Sequence, residues 1–383
     1  MYRTILEDLK VWKIKENRRP LLLTGGVQVG KTWVLNEFGK TSFEDILYID
    51  CKDTNYISYL MDGYLEPERI FKMLEVYHGS KIKAGETLLI FDEIQETPGI
   101  LLALMKLSQE VPEYVICCTG TFAEKELPCI GDEPEEVPDI LKLHPLNFNE
   151  FLIAVGENDL CNQLVGKTSD LSNETKMKLL ENLRTYFFVG GMPKAVSKWI
   201  ETKSITQVKA ILDSLIKNFN KVVNVSEYED GLNKLLEAKA FHQVYKVTKA
   251  VWPLESYIDK SKYHLHPMDI GIFSARHNLQ DSGEDGFLKS CNPRLIRQFV
   301  WQELYSNKNI STIYYLGESG ELIFGDEDSV VPIQIDLDGS LDTENVNRYP
   351  EEYNVQMVIR ISLDELKKGR GVLSVPLYAL WNL

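Results

Sequence analysis

The sequence predicts an α/β chain: a parallel sheet flanked by helices, then a helical segment, then a mixed α/β region. Three observations carry this. Short apolar runs of strand length alternate with helix-period runs up to about residue 150. From Asn147 to about Leu236 the pattern is helical throughout. From Phe241 onward β-like runs return. The expected division is residues 1–150, 151–240 and 241–383, since 383 residues exceed one ordinary domain.

Taken in order, residues 1–10 mix charged and apolar side chains at helical spacing and read as an amphipathic helix leading into the sheet. They lack the apolar centre of a signal peptide. Residues 21–23 form the first strand. Gly25-Gly26-Val27-Gln28-Val29-Gly30-Lys31-Thr32 follows, a complete G-x-x-x-x-G-K-T, and Trp33 continues into a helix. Strand, glycine loop and helix are the context in which such a loop wraps phosphate. Glycines let the backbone approach closely, and the amides with the helix N-terminus face the anion. Gly25, Gly26, Val27, Gln28, Val29, Gly30, Lys31, Thr32 and Trp33 are therefore the expected nucleotide-binding set. Lys31 is expected at the β- and γ-phosphates of ATP, and Thr32 at Mg²⁺.

Strands are expected at 46–49, 88–91 and 114–118. The third run, Leu88-Leu89-Ile90-Phe91, ends in Asp92-Glu93, as a buried parallel strand delivering two carboxylates at its C-terminal edge would. Asp92 is placed for the Mg²⁺ shell and Glu93 for polarising an attacking water. The fourth ends in Thr119-Gly120-Thr121, and Thr119 is the candidate γ-phosphate sensor, against the plainer reading of a turn cap. Helices are expected at 66–74, with proline in the first turn, and at 98–107. Residues 131–139 are an acidic, proline-containing loop before a last core strand at 140–146.

Helices are then expected at 148–155, 174–188, 194–200 and 205–220, with the turn Gly190-Gly191-Met192-Pro193 as a hinge, a nucleotide-contacting turn or a plain helix break. Arg184, just before it, is the candidate arginine for a neighbouring site or an ordinary surface residue. Strands are expected at 244–247, 263–265, 312–316, 330–335 and 355–361.

Composition sets outer bounds. Hydrophobic content of 44% and charged content of 26% are those of a globular chain, and no apolar run reaches membrane-spanning length. Six cysteines without a C-x-x-C pair argue for a reducing, cytoplasmic setting and against zinc ribbons or a disulfide framework. His264, His266 and Asp269 suggest a metal site, but without a third clear ligand the structural reading is preferred. The net charge of −15, with many acids between Leu316 and Tyr353, opposes binding to a phosphate backbone.

These stretches together resemble a prokaryotic AAA-superfamily family of P-loop ATPases whose C-terminal part is a domain of unknown function with a restriction-endonuclease-like core. The likeness rests on residues 19–32 and 89–95, on 144–151 and 189–196, and on 244–249 and 268–272. It implies an AAA core, a helical lid and a mixed α/β nuclease-like domain. Three departures stand out. Only residues 222–241 occupy the place of a winged helix, which needs about twice that length. Gln334 and Asp336 stand where the nuclease core carries the acid and the lysine of its Glu-x-Lys pair. Arg297 stands where an acid is common, leaving Asp326 and Asp328 as substitute ligands. The resemblance therefore implies ATP binding and slow Mg²⁺-dependent hydrolysis coupled to lid movement, with a non-catalytic C-terminal interaction module for an unidentified protein partner or a second copy. The alternatives are a nucleotide-gated switch without turnover, and a DNA-processing ATPase with an active nuclease.

Overall fold

Five short apolar runs pair in the computed structural model into one parallel sheet. They are β1 (Leu21–Gly25), β2 (Asp45–Asp50), β3 (Thr87–Asp92), β4 (Val115–Gly120) and β5 (Asp139–Leu143), in the order β2-β3-β4-β1-β5. The structure describes residues 1–53, 66–97, 99–121, 137–164, 171–222, 228–279, 292–310, 312–317, 320–326, 328–337, 349, 353, 355–364, 366–369 and 371–383. Residues 131–136 of the expected acidic loop, much of the acidic stretch between 316 and 353, and residues 223–227 lie outside them.

The chain divides into two units. One comprises Arg3–His144 with Asn233–Lys239; the other comprises Met1–Tyr2, Pro145–Leu232 and Ala240–Leu383. In the first, β1, β3 and β4 are buried along their whole length, as expected for parallel strands covered on both faces. α3 (Pro67–His78) and α4 (Ile100–Glu110) cover one face, where Phe71, Leu74, Ile100, Leu104 and Met105 meet Leu22, Leu89, Phe91 and Ile116. α2 (Lys31–Ser42) covers the other, and Gly39 lets it approach Ile46 and Leu88. α1 (Ile5–Lys13) lies beside α2, with Trp12 Nε1 donating to Asp139 at 3.0 Å. Alternating strands and helices give this topology because only crossovers connect parallel neighbours. Cys51, Cys117 and Cys118 are buried in this unit, and Cys161 is buried in the other.

The second unit holds the helices α5 (Phe148–Val155), α6 (Asn158–Leu164), α7 (Asn173–Val189), α8 (Pro193–Thr202), α9 (Ile205–Val222), α11 (Ile270–Arg276) and α12 (Pro293–Tyr305). Between them, α10 (Tyr228–Glu237) begins in this unit and ends in the first. Side chains cap four of these helices at the N-terminus: Asn147, Ser172, Asp269 and Asn292 each accept from a first-turn amide. Tyr186 anchors an aromatic core, with ring centroids 5.6 Å from Phe148, 5.1 Å from Phe151 and 6.0 Å from Phe299.

Eight strands form the mixed sheet of this unit: β6 (Phe241–Val247), β7 (Ile258–Pro267), β8 (Ile313–Leu316), β9 (Glu321–Asp326), β10 (Ser329–Ile335), β11 (Val358–Ser362), β12 (Lys367–Lys368) and β13 (Val372–Pro376). Their order is β12-β13-β11-β10-β9-β8-β6-β7. The turn at Gly190-Gly191 sits inside this unit. A Cβ on Gly191 would fall 1.9 Å from the Leu146 carbonyl oxygen, and the Gly191 amide donates to Asp269 Oδ2 at 2.6 Å. The double glycine is thus where Leu146 and the α11 cap close on the chain.

Candidate functional site

The loop between β1 and α2 starts under tight constraint. A Cβ on Gly25 would lie 2.2 Å from the Leu143 carbonyl oxygen, so only glycine lets β5 pass beside it. Gln28 and Gly30 both take positive φ, at 62° and 99°. Such left-handed residues turn successive amides toward one concavity, the geometry of an anion nest. Lys31, 5% exposed, folds back into this concavity. Its ammonium donates to the carbonyls of Gly25 and Gly26, each at 3.1 Å, and to Thr121 Oγ1 at 3.0 Å. Burial lowers its pKa, with Glu93 and Asp92 pulling the other way. An ammonium withdrawn from water within a glycine loop favours an arriving anion.

Val29 is buried, and its carbonyl accepts from Arg3 Nη1 at 3.2 Å; Arg3 Nη2 also donates to the His144 carbonyl. The Val27 amide donates to the Ala238 carbonyl at 3.2 Å. Trp33, in the first turn of α2, is 42% exposed. His144 is held down to about 3 by burial, then by the nearby charges of Lys142, Arg3 and Lys239. The rim of the loop is therefore locally basic in a chain of net charge −15.

Asp92 gathers three hydroxyls. Thr32 Oγ1 donates to its Oδ2 at 2.8 Å, the Tyr48 phenol donates to the same oxygen at 2.7 Å, and Thr119 Oγ1 donates to Oδ1. Burial, then the hydrogen bond to Asp92, push the Tyr48 phenol up, which keeps it a donor. The cluster is made of oxygen ligands only, the donor set that Mg²⁺ requires. Thr32 and Asp92 are the residues that would hold the ion.

Glu93 takes φ 57°, an uncommon conformation for a non-glycine residue that recurs at functional sites. Its amide donates to Thr119 Oγ1 at 2.9 Å, and its carboxylate accepts from Gln95 Nε2 at 2.5 Å. Gln95 in turn accepts from the Thr121 amide at 3.2 Å.

Lys31, Thr32, Asp92, Glu93 and Thr119 thus come together at the C-terminal edge of the sheet. Thr119 is fully buried and braces Asp92 and Glu93 from below, while Thr121, two residues on, reaches Lys31. Motif spacing gives no role to Tyr48, Gln95, Thr121, Arg3 or Lys239. Tyr48 and Thr121 lie on or just beyond neighbouring strands, so the signal available was the sheet order rather than any spacing.

The other candidates have structural partners. His266 Nδ1 lies 3.0 Å from Gln298 Oε1 and its ring stacks on Trp301, His264 stacks on Tyr315 at 4.0 Å, and Asp269 caps α11. No metal-binding group of His, Cys, Asp and Glu occurs among the described residues. Gln334 Nε2 donates to the Tyr349 hydroxyl at 3.0 Å, which donates to Glu321 at 2.6 Å. Asp336, 2% exposed, pairs with Arg360 at 2.5 Å. Among the described residues, no helix is long and apolar enough to cross a membrane.

Residues 17–152 match a family model described as an AAA domain. The comparison with curated proteins gave no match. Among solved structures the chain is similar to that of PCH-2 from C. elegans, at 13% identity and a TM-score of 0.31 over 61% of this chain. That alignment spans 65% of the PCH-2 chain, less than two thirds of its length.

Proposed function

We propose that this chain, with its AAA domain at residues 17–152, binds ATP with Mg²⁺ and hydrolyses it slowly. The observation that carries the reading is the placement of the Lys31 ammonium inside the glycine loop, with the Thr32–Asp92 pair beside it. Gly25 through Trp33 cradle the phosphates in this reading, and Lys31 meets the β- and γ-phosphates. Thr32 and Asp92 hold Mg²⁺, which when bound offsets charge on the β–γ anhydride. Glu93 takes the proton of an attacking water, and Thr119 keeps Asp92 and Glu93 in place. Residues 151–232 act as a lid that moves on turnover together with the strands of the unit they share. Residues 241–383 serve as a non-catalytic module for a protein partner or a second copy, because Gln334 and Asp336 are engaged by Tyr349 and Arg360.

Calorimetric titration with ATP and Mg²⁺ tests the site. Removing a buried cation from an anion site costs about 2–5 kcal/mol. Lys31→Ala should therefore weaken binding by a factor on the order of 10² or more; unchanged affinity would overturn the assignment.

One observation favours a second reading. The Glu93 carboxylate is already engaged by Gln95 at 2.5 Å, which suits a nucleotide-gated switch without turnover, its carboxylate held away from water. Under that reading Gln95→Ala raises turnover severalfold; under the first it does not.

A further inference from the structure

The chain leaves the second unit after Leu232, contributes Asn233–Lys239 to the phosphate-loop unit, and returns to the second unit at Ala240. This short excursion touches the loop at two points. The Ala238 carbonyl accepts from the Val27 amide, inside the glycine loop, at 3.2 Å. The Lys239 ammonium donates to Thr24 Oγ1, one residue before the loop, at 3.0 Å. Thr24 is 2% exposed and Lys239 is half-buried, so this contact tethers the segment to a buried hydroxyl from the edge of the unit. Lys239 also takes φ 50°, which few non-glycine residues adopt and which persists only where surrounding contacts hold it. Lys239 stands with Arg3 and Lys142 around His144, on the basic rim.

We propose that Asn233–Lys239 is a nucleotide-sensing latch, in which Ala238 and Lys239 position the phosphate loop and polyphosphate arriving there redraws both contacts. This rests on the nucleotide-binding reading above. The two contacts respond to phosphate with opposite sign. The Ala238 carbonyl presents negative charge to the same loop and is repelled, while the Lys239 ammonium is attracted. The segment therefore pivots on the loop instead of simply detaching. Linkage makes the effect reciprocal: whatever factor nucleotide applies to the latch equilibrium, the latch applies to nucleotide affinity. Both neighbours in sequence, Leu232 and Ala240, belong to the second unit, so the latch is one covalent route, beside those at Tyr2–Arg3 and His144–Pro145, by which loop occupancy reaches it. Lys239 is in this account a positioning residue acting through Thr24.

Hydrogen exchange on the full chain tests the latch. The Ala238 and Lys239 amides, which donate to the Lys234 and Leu236 carbonyls at 2.9 Å each, are the reporters. With Mg²⁺ and a slowly hydrolysed ATP analogue, their exchange should change by about fivefold or more, the usual lower bound for coupled sites. Lys239→Met and Thr24→Val should shift analogue affinity by a similar factor and remove the exchange response, and Lys239→Arg should restore both. The latch is overturned if wild type binds the analogue in a Lys31-dependent way while the reporters do not respond, or if Lys239→Met responds as wild type does. Absence of any Lys31-dependent binding instead overturns the nucleotide-binding reading, and the latch with it. Should Lys239→Met fail to fold, the wild-type exchange measurement decides alone.

Discussion

Glu93 is the residue whose surroundings say most about chemistry. Its left-handed backbone, its amide on Thr119 and its carboxylate on Gln95 fix the side chain at the edge of the sheet beside Asp92. Asp92, by contrast, is enclosed by the hydroxyls of Thr32, Tyr48 and Thr119 and is suited to hold an ion, not to move a proton. Glu93→Gln keeps the shape and the hydrogen-bonding reach but removes the carboxylate that would act as the base. It should leave ATP affinity near wild type and slow steady-state hydrolysis by a factor on the order of 10² or more. Turnover equal to wild type would mean that another group activates the water. The residues that motif spacing supplied here are those whose role follows from neighbours in sequence. Tyr48 and Thr121 reach the site from adjacent strands, and no local pattern distinguishes them from ordinary strand-end polar residues.

Among the elements, α12 is unusual in turning polar side chains into a core. Gln298 contacts His266, Gln302 accepts from the Ile270 amide at 2.6 Å, and Glu303 accepts from the Phe148 amide at 3.1 Å. Burial pushes the Glu303 carboxyl up to about 8, with Glu150 adding to the rise and the Phe148 amide and Tyr186 opposing it. The folded state therefore binds this proton more tightly than the unfolded chain, where the ordinary value is 4.5. Its stabilising contribution is complete below the unfolded value and is lost as pH rises through about 8. The loss is at most roughly 4–5 kcal/mol on linkage arithmetic. Glu303→Gln should accordingly gain stability relative to wild type between pH 5 and 8.5 in urea denaturation. Parallel pH dependences for the two proteins would show that Glu303 ionises freely. Strands such as β3, apolar on both faces, were legible from composition alone. β7 was legible only at residues 263–265, because as an edge strand it keeps Lys260, Ser261 and Lys262 exposed and shows no apolar alternation. α6, β12 and β13 leave no clear sequence signal: each is short, and the run from Val372 to Leu380 does not separate strand from helix by period.

For the whole molecule, the sequence expectation of a parallel sheet flanked by helices, followed by a mixed α/β region, agrees with the structure, in which residues 145–232 and 240–383 lie in one unit. What sequence did not show is that Asn233–Lys239 belongs with the glycine loop, because that contact joins residues more than two hundred positions apart. Charge, too, acts at this scale. A net charge of −15 repels nucleic acid at long range, and low salt extends that repulsion. Gln334 is held by Tyr349 and Asp336 by Arg360. Purified protein should leave supercoiled plasmid intact with Mg²⁺ or Mn²⁺ and give no gel shift at low ionic strength. Cleavage that disappears in Asp326→Ala or Asp328→Ala would place a metal site there and end the non-catalytic reading of this region.

The buried cysteines turn the protein into its own reporter of how it comes apart. Burial raises the Cys51 thiol to about 12 and the Cys161 thiol to about 11, and pushes Cys117 and Cys118 up as well. A thiol that stays protonated and shielded does not meet an alkylating reagent at neutral pH. Each of these sulfurs should become reactive only when its own surroundings open. Three of them belong to the glycine-loop unit and Cys161 to the other. Alkylation in a rising series of urea concentrations, with each cysteine followed by peptide mass, therefore yields a separate melting curve for each unit from the unmodified chain. Saturating ATP and Mg²⁺ should shift the curve of Cys51, Cys117 and Cys118 to higher urea, as mass action requires of a ligand bound to the native form alone. If they label rapidly without denaturant, the interior of the sheet opens far more readily than its packing implies.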